Sequence, residues 1–188
     1  MNNTKTRENL RALVESAVLI AVGFTLSYYR IFELPQGGSV TPLSMLPILM
    51  IGLRHSFKWG VGGGVIYACL QMLQSFWPPP SGTVAAYVSV VMLDYVLAFG
   101  VLGISAIFRG KRYGLVYAAA LCVSLRFLCH FISGIVIWST YWRDPGAWLF
   151  SLTYNGSYMG VELVFTTVIS VLLCKAAPVL FVGKKQPG

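Results

Sequence analysis

The chain has 188 residues, 56% of them hydrophobic and 11% charged, with a mean hydropathy of +0.71; that is more apolar surface than one soluble core can hide. Its net charge of +8 does not point to nucleic acid, because the basic residues are dispersed through the short gaps between apolar runs and at the termini. A soluble enzyme and a nucleic-acid-binding domain are therefore excluded, and the chain reads as an all-α integral membrane protein.

The first apolar run, 9–29, is long enough at ~1.5 Å per residue to span ~30 Å of hydrocarbon, and residues 4–11 form its basic cytoplasmic flank. It leads into Ser27-Tyr28-Tyr29-Arg30 without a small-residue cleavage site, so it reads as retained rather than as a signal peptide. Ala17 and Ala21 stand four apart on it, a pair of small residues that lets another helix approach closely; packing inside the bundle is its ordinary meaning. A Pro/Gly loop, 30–42, follows and is expected outside.

The second segment, 43–53, is short and carries Pro47, which predicts a kinked, tilted or partly re-entrant element, and its basic exit through Arg54 and Lys58 places that turn inside. The third, 59–76, bears Gly60, Gly64 and Ala68 at four-residue spacing. No Gly-Lys-Ser/Thr follows, so these glycines read as a close helix contact and not as a phosphate loop. Tyr67, Gln71 and Gln74 step toward its outer end, which Trp77 and three prolines close.

The fourth helix, 84–108, holds Tyr87, Asp94 and Tyr95 in its outer half and ends on Arg109-Gly-Lys-Arg112, the strongest cytoplasmic marker in the chain. The fifth, 113–141, places Arg126 and His130 one turn apart on one face, with Trp138 two turns further along it. The sixth, 152–180, runs inward past Asn155 and Glu162 to Lys175, Lys184 and Lys185. Six transmembrane helices with both termini cytoplasmic, forming one domain over 1–188, satisfy every loop charge.

Ionisable groups at membrane depth are expensive and by default functional. Arg126 finds its obvious partners in Asp94 and Glu162, and either a structural Asp94–Arg126 ion pair or a ligand site accounts for the set. Asp94, His130 and Asn155 fall in the outer leaflet, where the loops supply Trp77, Tyr141, Trp142 and Trp148; singly, these aromatics read as an interfacial belt. Arginine, imidazole, carboxylate and indole together describe a small-molecule pocket, and two carboxylates against one arginine favour a cationic ligand. Cys69, Cys122, Cys129 and Cys174 lie in apolar runs as reduced, buried packing residues, and no ligand spacing recurs for a metal.

Several stretches resemble one family: Gly37-Gly38-Ser39 with Met45-Leu46-Pro47-Ile48, Leu93-Asp94-Tyr95 with Leu97-Ala98-Phe99-Gly100, Arg126 to Phe131, and Ser151-Leu152 with Tyr154-Asn155-Gly156. They are similar to the thiamine-specific S-components (ThiT family) of energy-coupling factor (ECF) transporters, over nearly the whole chain. The resemblance implies a multi-pass protein of a bacterial cell membrane that binds thiamine from outside as transported ligand, with no cofactor. It puts Asp94 against the aminopyrimidine or thiazolium, Tyr95 and Arg126 at the hydroxyethyl end, His130 and Asn155 on the rings, and Trp138 stacked on the pyrimidine. Gln71 and Tyr154 complete the expected set. It also implies that Ala17 and Ala21 dock a transmembrane coupling subunit carried on two ATPases, since this chain has no nucleotide-binding signature.

Some members carry glutamate at Asp94, lysine at Arg126, a stacking tryptophan where this chain has Gly37-Gly38, and tyrosine where it has Phe150. Trp77 or Tyr154 would have to supply the missing wall. Three other readings remain open: an S-component for another cationic or thiamine-related precursor, an intramembrane enzyme using His130 with Asp94, and an assembly protein that needs only packing motifs.

Overall fold

Six helices build the fold, seen in a computed structural model that describes residues 2–141 and 146–177. They are α1 (Asn2–Leu26), α2 (Leu46–Arg54), α3 (Phe57–Gln74), α4 (Val84–Phe108), α5 (Gly114–Val136) and α6 (Ala147–Ala176). Between α1 and α2 lies a small antiparallel hairpin, β1 (Phe32–Glu33) with β2 (Ser39–Val40), closed by a tight turn over Pro35–Gly37. Four of the helices, α1, α4, α5 and α6, are long and apolar enough to cross a membrane. Large apolar side chains on their outer faces are exposed, among them Val18, Val88, Leu128 and Val164, as expected of surface that meets lipid rather than water.

The second segment differs from expectation in an instructive way. Its helix α2 has nine residues, about 14 Å, and cannot span alone; the two-residue strand β2 and a turn over 42–45 lead into it. Pro47 does not kink it, because it sits in the first turn, where a missing N–H costs nothing. Being short and central, α2 is buried almost throughout, with Ile48, Leu49 and Ile51 each at 0% exposure.

Close packing around α2 depends on absent side chains. A Cβ at Gly64 would collide with the Phe99 carbonyl, and one at Gly103 with the backbone of Gly60 and Val61. The glycine run of α3 is therefore the contact that lets α3 lie against α4. Gly103→Ala is expected to destabilise the protein by ~1–3 kcal/mol through overpacking, measured as a lower unfolding temperature in detergent. An unchanged melt would mean that α3 and α4 are not in such contact.

Other expectations shift by a turn or a face. The first helix starts at Asn2 and ends at Leu26, and the sixth starts at Ala147, five residues before its apolar pattern is unambiguous. The fifth ends at Val136, so Trp138 lies on a separate short turn, Trp138–Tyr141, instead of continuing the face of Arg126 and His130. Cys122 and Cys174 are buried as read, but Cys69 is exposed on α3. Trp142, Lys184 and Lys185 lie outside the described residues.

The helices alternate in direction. One end of the bundle gathers the C-terminal ends of α1, α3 and α5 with the N-terminal ends of α2, α4 and α6; the other end carries Arg54, Lys58, Arg109, Lys111 and Arg112. At that basic end Glu15 of α1 accepts from Arg54 Nε at 3.0 Å and Nη2 at 2.9 Å, and from Arg11 Nε at 2.7 Å. His55 Nε2 lies 3.2 Å from Glu15 but is too misaligned to hydrogen-bond. Burial holds its imidazole below the usual range, against the pull of Glu15 and with the push of Arg54, Arg109 and Arg11.

Candidate functional site

A single cavity at the end opposite the basic loops collects the side chains singled out from the sequence: Gln71 of α3, Asp94 and Tyr95 of α4, Arg126 and His130 of α5, Trp138 of the following turn, and Tyr154 and Asn155 of α6 all line it. What places Asp94 there is a local change of helix. Residues Val91–Leu97 wind as a π-helical turn within α4, an element that enlarges the helix by a residue and is common at functional sites. The carboxylate is thereby offered to α5.

Asp94 does not pair with Arg126. One oxygen lies 3.0 Å from His130 Nδ1; the other accepts from Ser133 Oγ at 2.6 Å and from Trp138 Nε1 at 3.1 Å. Ser133 follows His130 by three residues, so both come from one face of α5. With the proton on Nδ1, His130 donates to the carboxylate and its Nε2, buried and without a hydrogen-bond partner among the described residues, is left as an acceptor. Ser133 donates to the carboxylate, and among the described residues no serine or cysteine hydrogen-bonds the His130 ring.

Arg126 takes a different neighbourhood. Its guanidinium lies over the Phe99 ring, 4.4 Å from the centroid, and Nη1 points at Met45 Sδ at 3.0 Å, while Nε is buried without a hydrogen-bond partner. Stacking on an aromatic face suits a planar, weakly hydrated cation. An Asp94–Arg126 ion pair does not form, for a geometric reason: three donors from α5 and its trailing turn hold Asp94, and Arg126, one turn before His130, is aimed toward α2 and α4.

The remaining lining comes from residues with hydrogen-bonding duties of their own. Asn155 Nδ2 donates to the His130 carbonyl at 3.2 Å and to Ser151 Oγ at 3.1 Å, and its Oδ1 accepts from Tyr158 at 2.9 Å. It thus holds His130 and Tyr158 in place. The Tyr95 hydroxyl donates to the Ser75 carbonyl at 2.8 Å, tying α4 to the end of α3. Tyr154 accepts from the Gly38 N–H at 3.0 Å and donates to the Pro35 carbonyl, so it fastens the β1–β2 turn over the cavity.

The first loop, 30–42, has no tryptophan, and Trp77, from the loop after α3, packs against it. Its indole packs on Gly37, whose φ of +88° and lack of Cβ are both needed there, since a Cβ would overlap the ring. Trp77 lines the rim and is 39% exposed; Phe150, stacked on Tyr154 with centroids 5.5 Å apart, lines the cavity too. Trp148 is exposed and does not line it. Tyr67, one turn before Gln71, lines the cavity as well, and so do Arg30, Ser44 and Tyr158, which the pattern of apolar runs did not single out. Tyr158 was reachable, because it stands three and four residues after Asn155 and Tyr154 on the same face.

Ala17 and Ala21 are on the outer face of α1, together with Leu13, Val14 and Val18; the inward face is Ala12, Ser16, Ile20, Gly23 and Ser27. Packing within the bundle, the ordinary meaning of such a pair, is thus not what these alanines do.

Comparison with known proteins agrees with this architecture. The curated thiamine transporter ThiT of Bacillus subtilis is 31% identical over 201 residues, covering 98% of this chain and 100% of that protein. A solved structure of ThiT from Listeria monocytogenes superposes with a TM-score of 0.73 over 92% of this chain and 98% of that one at 22% identity, which speaks to the fold. The family described as thiamine transporter protein (Thia_YuaJ) matches residues 13–182, and with that span and that relative this multi-pass membrane protein belongs to the thiamine transporter family.

Proposed function

We propose that this chain is the thiamine-binding S-component of an ECF-type transporter, and that the cavity between α3, α4, α5 and α6 is where it holds the vitamin. Membership of a transport family makes it a component of uptake and not an enzyme. The observation that carries the reading is the cavity's charge layout: the Asp94 carboxylate and the Arg126 guanidinium both line it and do not pair with each other. A ligand with a cationic ring at one end and a hydroxyl at the other answers both.

In this reading Asp94 takes the aminopyrimidine or thiazolium, His130 offers Nε2 to a ring substituent, and Arg126 donates to the hydroxyethyl oxygen. Trp138, held by its indole N–H on Asp94 at 3.1 Å, stacks on the pyrimidine. Trp77 supplies the wall that a first-loop tryptophan supplies in other members. Asn155 and Tyr95 act mainly by fixing their neighbours, since their polar atoms are already engaged. The basic loops face the cytoplasm, the cavity faces outward, and Ala17 and Ala21 dock a transmembrane coupling subunit that sits on two ATPases.

Titrating purified protein with thiamine is expected to quench tryptophan fluorescence at nanomolar to micromolar concentration, because an aromatic cation stacked on indole gains both stacking and cation–π energy. Unchanged fluorescence and no calorimetric heat with thiamine, alongside clear binding of another vitamin, would reassign the substrate.

A further inference from the structure

Glu162 stands on α6 two turns beyond Asn155, 1% exposed, and does not line the cavity. Isolated carboxylates this deep are costly, so the group needs a task. It was read above as a free negative charge that a cationic ligand would answer, yet its contacts assign something else. One oxygen accepts both the backbone N–H of Thr41 and, at 3.1 Å, the Thr41 hydroxyl. The Thr41 hydroxyl in turn lies 2.9 Å from Ser44 Oγ.

Thr41 and Ser44 both line the cavity, on the turn that joins β2 to α2. Past the two-stranded ladder the backbone donors of this turn must be satisfied in other ways, those of Ser44 and Leu46 by the carbonyls of Thr41 and Leu43. Glu162 satisfies one of them. Two turns earlier on α6, Tyr154 grips Gly38 and Pro35 of the same connection. The connection is therefore clamped to α6 at two points, above by a phenol and below by a carboxylate, and the cavity wall between them is held in one shape.

We infer that Glu162 is a positioning residue for ligand binding: it acts through Thr41 and Ser44 to hold the cavity wall, and contributes by accepting hydrogen bonds rather than by its charge. The inference rests on the cavity being the thiamine site. It separates two carboxylates that the sequence makes look alike: Asp94 faces the ligand, Glu162 faces the wall.

The test compares Glu162→Gln, Glu162→Leu and Thr41→Val, measuring affinity and dissociation rate in detergent. Two ligands are needed: thiamine, and an uncharged isostere in which carbon replaces the thiazolium nitrogen. Gln keeps an acceptor oxygen at that place and should bind both ligands within about threefold of the parent protein. Leu leaves a buried N–H unsatisfied and should weaken both ligands equally, by about tenfold or more, chiefly through faster dissociation. If Glu162→Leu does not fold, Thr41→Val decides: weaker binding of both ligands with an unchanged melting temperature supports the clamp, and unchanged affinity overturns it. Selective loss of thiamine in Glu162→Gln would also overturn it, by making the charge itself the contribution. Failure of the unmutated protein to bind thiamine at all would instead sink the assignment of the cavity.

Discussion

Asp94→Asn is expected to weaken thiamine binding by about 100-fold while weakening the uncharged isostere by less than about tenfold. A carboxylate has about four acceptor positions on its two oxygens, and His130, Ser133 and Trp138 occupy three of them. One is left for a ligand N–H, and the negative charge remains for the ligand's cation. A hydrogen bond between charged partners is roughly twice as strong as a neutral one, and exclusion of water from the cavity raises the Coulomb contribution further; ~2–3 kcal/mol, or 30- to 150-fold, follows from those two effects together. The isostere keeps the amino group and loses only the part that depends on charge. Calorimetric titration of both ligands against both proteins gives the comparison.

Asp94 also ties α4 to α5, and a merely structural role predicts a different result. Asparagine can keep its oxygen toward Ser133 and Trp138 and turn its amide nitrogen toward His130 Nδ1, so the helix tie survives in altered form. Equal losses for the two ligands, accompanied by a lower melting temperature, would mean that Asp94 serves the bundle. A selective loss with an unchanged melt assigns it to the ligand.

The bundle itself was legible because lipid imposes one rule on every spanning segment: backbone groups must be satisfied internally, so apolar length translates directly into helices. The alternating position of basic loops then fixed which ends share a side, and that was enough to bring Asp94, His130 and Asn155 to one level. Contacts within that level were not legible. Asp94 and Arg126 carry opposite charge at similar depth, and nothing in their spacing foretells that a π-helical turn offers the carboxylate to His130, Ser133 and Trp138, or that Arg126 lies on Phe99. Trp138 reached the site for a reason the helical period misses, since α5 ends two residues before it and the chain turns inward. The hairpin of β1 and β2 was hidden in a stretch readable only as loop, because two-residue strands carry no periodicity.

Replacing Ala17 and Ala21 together with tryptophan is expected to leave thiamine affinity in detergent within about twofold and to abolish uptake into cells, with loss of co-purification of the proposed coupling subunit and its ATPases. The two alanines are on the outer face of α1, about 15 Å and about 9 Å along the helix direction from Ser27, which follows the last residue of α1 and lines the cavity. Between them and the cavity stands the inward face of the same helix, joined to α3 by the hydrogen bond from Ser27 Oγ to Gln74 Oε1 at 2.9 Å and by Tyr67, whose hydroxyl reaches the Gly23 carbonyl at 3.4 Å. Indoles pointing outward disturb neither bond. They would, however, keep a second helix from reaching the backbone distance at which van der Waals contact between membrane helices becomes substantial, which is the one thing small residues provide. Surviving uptake would show that the docking face lies elsewhere on the bundle. Affinity collapsing together with uptake would show that α1 cannot change its outer face without moving Ser27 and Tyr67, making the two faces of this helix one mechanical unit.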